Sequence, residues 1–319
     1  MSKGLIIPLL LFSLMPIFKA VSHENCTSFA LNQMGSEKST RHEFREHTKE
    51  GEKRFNEILD VLEELFTEEF KARGGELKMA RYEWPFNSLN IRMRREHFGN
   101  DGDIWRVIPT GGIFRHKMID EDAFTLITCH EIGHHIGGLP LKRSPLRGQF
   151  HWATTEGQAD YFAASKCFRQ YAEVTGGNEK FATKEFHIED ELLDEKVFER
   201  CQAIFSSREE AAICSRTIRA GIVLTRFMAH YRGMSPEKLS PHNEDPQVLE
   251  RTHDGHPRPQ CRLDTFVHGA LCEKSHWTLM PSDSISEGSC SEINGHTVGN
   301  RPRCWFSPTS RYLPYEVDD

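Results

Sequence analysis

The chain has 319 residues and a formal charge of −7 at neutral pH, with 38% hydrophobic and 10% aromatic residues. That composition supplies enough apolar side chains for a sizeable core and excludes an intrinsically disordered chain. The acidic balance argues against a nucleic-acid partner, and the length fits one large domain or two smaller ones.

Residues 1–22 read as a secretory signal. Lys3 supplies the positive start, Leu5 to Phe18 is apolar, and Ala20-Val21-Ser22 fits a small-x-small cleavage site. The run is short and broken by Pro8 and Pro16, which disfavours a membrane span, and no later stretch is apolar enough for one. Cleavage removes Lys3 and Lys19 and no acid, so the charge moves from −7 to about −9. The mature chain is therefore expected to be exported, either periplasmic or secreted, without an integral membrane span. It keeps all nine cysteines, which in an exported protein predict disulfides. Cys129, in an apolar helix, is expected to be the unpaired buried thiol. Proximity favours Cys201–Cys214, Cys261–Cys272 and Cys290–Cys304, although spacing alone cannot fix connectivity. No CxxC pair is present, which speaks against a cysteine zinc site.

Residues 40–73 have a helical pattern ending at Gly74-Gly75, with an apolar stripe through Phe55, Ile58, Leu59, Leu62, Leu65, Phe66 and Phe70. Leu77 to Trp84, Ser88 to Arg95 and Ile104 to Ile108 read as strands, and Gly111-Gly112-Ile113-Phe114-Arg115 leads into another short one. Asp120 or Asp122 can cap a helix that Gly137-Gly138 ends. A basic, turn-rich loop from Leu139 to Phe150 follows, then a helix over Glu156 to Cys167 capped by Thr154 or Thr155. Residues 173–206 suggest short helices. Ser207-x-x-Glu210 is a capping box that opens a long helix through Met228. Beyond about Ser235 the chain is rich in Pro, Gly and Cys and reads as a disulfide-held coil.

The helix after Asp120 carries His130-Glu131-x-x-His134. Positions i and i+4 share one helical face, so both imidazoles can reach one metal ion. Glu131 is rotated by about 100° from His130, which brings its carboxylate beside that ion, where it can take a proton from water. With 17 histidines in the chain the motif needs support, since zinc requires a third protein ligand. A third histidine six residues after His134 would make a metzincin, but that position is Pro140. Glu156 and Asp160, four apart on the following helix, match a gluzincin: Glu156 as ligand and Asp160 orienting a ligand histidine. His135 and His151 are alternative ligands, and Glu156 alone could instead serve its helix N-terminus. The order of helix, small sheet and metal helix predicts an α+β fold with a zincin-like domain over 23–240. A Cys/Pro-rich segment, 241–319, is expected to pack on it.

Three ordered blocks resemble the gluzincin branch containing HtpX, the CAAX prenyl endopeptidases and the BepA-like proteases. They are Pro109-x-Gly111-Gly112-Ile113-Phe114, then His130-Glu-Ile-Gly-His134-His135 with Glu156-Gly-Gln-Ala159-Asp160, then Gly255-His256-Pro257 with Arg262. Together they span roughly residues 105–265. The chain departs from that branch in a short His134-to-Glu156 interval, in Asp254-Gly255 before His-Pro, and in lacking membrane helices, so an exported soluble protease is the nearer analogy.

The resemblance implies one Zn2+ per chain on His130, His134 and Glu156, with Glu131 as general base in peptide-bond hydrolysis. His256 would donate to the oxyanion or act as a reversible fourth ligand, with His253 as a second candidate. Arg262 would hold the His-Pro segment, and Gly111, Gly112 and Ile113 would form the edge strand that receives a peptide or protein substrate. Two other readings stand beside this one. The first is a secreted structural or interaction protein with a non-catalytic zinc site. The second is a zinc amidase acting on cell-wall peptides.

Overall fold

A computed structural model describes residues 22–25, 29–30, 43–97, 102–143 and 150–310. Residues 1–21 of the expected signal sequence, and Cys26, lie outside the described residues. The architecture is mixed: a helical body, a small five-stranded sheet and a two-stranded ribbon.

Helix α1 (Lys49–Ala72) begins where the Thr48 side chain accepts a hydrogen bond from Gly51 N. Its predicted stripe is buried from Phe55 to Phe70, with Leu65 half-buried. The main sheet has the order β1 (Ser22–Asn25), β4 (Asn90–His97), β5 (Asp103–Pro109), β3 (Gly75–Met79), and β2 (Phe29–Ala30) also pairs with β4. β5 is antiparallel to β4 and parallel to β3.

This sheet corrects one expectation. The strand before the helix that carries His130 and His134, β5, is paired on both sides and is not an edge. Gly111, Gly112 and Ile113 are not a strand either; they form a buried short helix, α2 (Gly111–Arg115). A Cβ on Gly111 would fall 2.0 Å from the Trp84 carbonyl oxygen, and one on Gly112 would fall 2.4 Å from that of Ser88. These glycines allow backbones to pack closely; they present no open edge to a peptide.

Helix α3 (Glu121–Ile136) is capped by Asp120, whose carboxylate accepts from Ala123 N at 2.9 Å. Asp122 pairs instead with Arg216 of α8 (Arg208–Tyr231). Every α3 residue from Ala123 to Ile136 is buried, so this helix runs through the middle of the molecule. The turn-rich loop holds β6 (Leu141–Arg143), which pairs with β7 (Phe150–Thr154). Helix α4 (Glu156–Phe162) then passes through a π-helical turn, Ala163–Cys167, into α5 (Phe168–Thr175), running further than predicted. Short helices α6 (Lys184–Glu189) and α7 (Glu195–Ile204) precede α8, whose cap, Ser207, accepts from Glu210 N. The coil expected after residue 235 contains α9 (Pro259–Ala270), packed against α8 and α4.

The cysteines pair as Cys129–Cys167, Cys201–Cys214, Cys261–Cys304 and Cys272–Cys290. Of the expected pairs only Cys201–Cys214 is observed, and Cys129 is bridged, not free. Cys261 lies in the first turn of α9 and Cys272 just beyond its end. At 1.5 Å of rise per residue they stand about 16 Å apart, too far for a bond. Among the described residues, no helix is long and apolar enough to cross a membrane.

Candidate metal centre

α3 and α4 approach closely through glycine. A Cβ on Gly133 would lie 3.0 Å from both the Ala159 carbonyl oxygen and the Phe162 ring. The Cys129–Cys167 bridge fastens the same pair, joining the residue before His130 to the turn that continues α4. The first turn of α4 thereby carries Glu156 to the face where His130 and His134 stand one turn apart.

Each imidazole is oriented through its Nδ1. His134 Nδ1 lies 2.8 Å from the Thr154 carbonyl oxygen, which can only accept, so Nδ1 carries the hydrogen and Nε2 is left with its lone pair. His130 Nδ1 lies 2.7 Å from Asp160 Oδ1. Asp160 is gripped in turn by Arg262, with Nε at 2.7 Å from Oδ2 and Nη2 at 2.5 Å from Oδ1. All three side chains are buried. Burial opposes the Asp160 charge, but Arg262 and then His130 outweigh it and keep the carboxyl below its ordinary range.

Both Nε2 atoms face Glu156, whose Oε2 lies 3.2 Å from that of His130 and 3.5 Å from that of His134. The three donor atoms all fall within 4.8 Å of one another. The buried His134 Nε2 and Glu156 Oε2 make no hydrogen bond. Ligands at zinc's usual 2.0–2.2 Å in a tetrahedron are about 3.4 Å apart, so the separations and the donor chemistry both fit a metal ion. Burial works against the Glu156 charge, yet its interactions with His134, Lys142 and His256 hold its carboxyl well below the ordinary value. Burial pushes the His134 ring down to about 4. For His130 burial also resists charging, but Asp160 lifts the ring to about 9.

The remaining predicted residues sort themselves by position. Glu131 is fully buried on α3. His256 is half-buried and reaches the group, with Nδ1 3.0 Å from Glu156 Oε2. His253 is exposed, and its backbone N–H donates to the Trp305 carbonyl at 2.8 Å. His135 turns away into an aromatic box, its ring stacked at 5.0 Å on Trp152 and 6.0 Å on Trp105. His151 lies in β7, and its side chain is outside the described residues. Arg262, expected at the His-Pro segment, grips Asp160. That segment is tied down by Arg232 Nη1, 3.2 Å from the Pro257 carbonyl, and by Arg143, whose N–H donates to Asp254 Oδ2 at 3.0 Å.

Two contributors escaped the sequence reading. The Thr154 carbonyl is backbone and leaves no residue-type signal. Lys142, whose Nζ donates to Glu156 Oε1 at 2.6 Å, stood in a stretch read as a loop. The arrangement can hold a divalent ion through two imidazoles and one carboxylate. Comparisons of the chain with protein-family models, curated proteins and solved structures find no match.

Proposed function

We propose that the protein is an exported zinc-dependent endopeptidase of zincin-like fold, built as a gluzincin. The observation that carries this reading is a buried donor group of three residues: His130 and His134 on the helix that also carries Glu131, and Glu156 at the start of the next helix. A structural zinc site is closed by four protein ligands, whereas a hydrolytic one keeps a position for water. Disulfides and the absence, among the described residues, of a membrane-crossing helix are compatible with export.

Zinc bound there would lower the pKa of water toward neutrality and polarise a scissile carbonyl. Glu131 would take the proton from that water and return it to the departing amine. Asp160, fixed by Arg262, holds the His130 ring in line, and the Thr154 carbonyl does the same for His134. His256, beside Glu156 Oε2, would donate to the developing oxyanion, an interaction worth about 2.7–4 kcal/mol in the barrier.

Glu131→Gln should keep one zinc per chain and lose hydrolysis of a denatured protein substrate. Metal analysis and a cleavage assay read the two halves separately; full cleavage by the variant would refute the mechanism. The short His256–Glu156 contact also favours a second reading, a four-ligand site with a structural role. Inhibition by a hydroxamate, which needs an open position, distinguishes the two.

A further inference from the structure

The Glu156 carboxylate is divided between two neighbours. Oε2 faces the imidazoles, while Oε1 lies 2.6 Å from Lys142 Nζ. Lys142 is mostly buried, with 13% of its side chain exposed, and sits at the irregular point of the β6–β7 ribbon between Leu141 and Arg143. The next residue, Arg143, anchors the segment bearing His256 through Asp254. β6 therefore touches both the third donor and the loop that faces it.

A glutamate can bind a metal ion through one oxygen or two. Two oxygens would fill the position that a hydrolytic site must leave for water. An ammonium on Oε1 occupies the second oxygen and leaves Oε2 as the only donor. We infer that Lys142 is a positioning residue that restricts Glu156 to one-oxygen coordination. The inference rests on the metal-site reading above. The ammonium also places a like charge beside the ion, so the site gives up some affinity to keep a coordination position open. Glu156 does not depend on Lys142 for its place, because α4 packing and His256 hold it as well.

The test compares wild type, Lys142→Met and Lys142→Arg, using zinc affinity by chelator competition and the visible spectrum after cobalt(II) loading. Lys142→Met should bind zinc at least about tenfold more tightly, since a like charge is gone and Oε1 is released. Its cobalt spectrum should weaken as the four-coordinate site becomes five-coordinate, and peptide hydrolysis should fall. Lys142→Arg, which keeps a cation on Oε1, should restore the wild-type spectrum. Unchanged or weaker zinc affinity with an unchanged spectrum in Lys142→Met would overturn the role of Lys142 alone. A folded wild type that takes up neither metal would overturn the metal site itself. Should Lys142→Met not fold, Lys142→Gln makes the same comparison.

Discussion

Lys166 sits on the buried π-helical turn after α4, its Nζ donating to the Ser275 carbonyl at 2.6 Å. Burial, helped by the nearby charge of Arg169, pushes its ammonium from the usual 10.5 down to about 7. Between those values the unfolded chain binds more protons than the folded one, so stability should rise with pH from 7 toward 10. The slope is at most about 1.4 kcal/mol per pH unit. Lys166→Met should lack that increment; urea unfolding at pH 7 and pH 9 checks it, and equal slopes in both proteins would contradict the assignment. At this scale the sequence is informative where side chains recur on one helical face. His130 with His134, and Glu156 with Asp160, are legible because i and i+4 coincide in space. Lys142 is not legible there and Arg262 only in part, because their partners lie 14 and 102 residues away and depend on tertiary packing.

Between elements, the decisive link is the bridge from α3 to the turn that continues α4. Cys129 and Cys167 are 38 residues apart, and closing a loop of that length restricts the unfolded chain by about 4 kcal/mol. The Cys129→Ala/Cys167→Ala double variant should lose stability of that order in denaturant unfolding. It should also bind zinc more weakly, because α4 brings Glu156 to the histidines. A loss under 1 kcal/mol would mean that packing through Gly133 suffices. The sequence reads long amphipathic elements well, as the buried stripe of α1 shows. It reads short ones poorly: Gly111–Arg115 has no periodicity to separate strand from helix, and tertiary contact with Trp84 and Ser88 decides the matter. The cysteine pairing went astray for a related reason. An undetected helix, α9, holds Cys261 and Cys272 apart and sends each to the chain beyond it.

Across the whole molecule, the region after residue 240 covers the helix that bears Glu156. A Cβ on Gly157 would lie 2.2 Å from the Trp305 ring, Tyr161 donates to the Gly299 carbonyl at 2.6 Å, and Arg301 donates to Gln158 at 2.5 Å. A chain ending at residue 240 would expose that face and strand Asp160 without Arg262. It should fail to unfold cooperatively by circular dichroism; a cooperative, zinc-binding fragment would show instead that 23–240 is autonomous. Composition flags 241–319 as Pro-, Gly- and Cys-rich but cannot reveal that this stretch supplies part of the site. The Cys261–Cys304 cystine clasps the stretch that contributes His256 and Arg262. Its consequence concerns timing: under reducing conditions that clasp stays open, and the stretch bearing Arg262 should be held less firmly against Asp160. On the proposed reading of an exported peptidase, oxidation after export would complete the assembly, and the cell that makes the protein would be spared its activity.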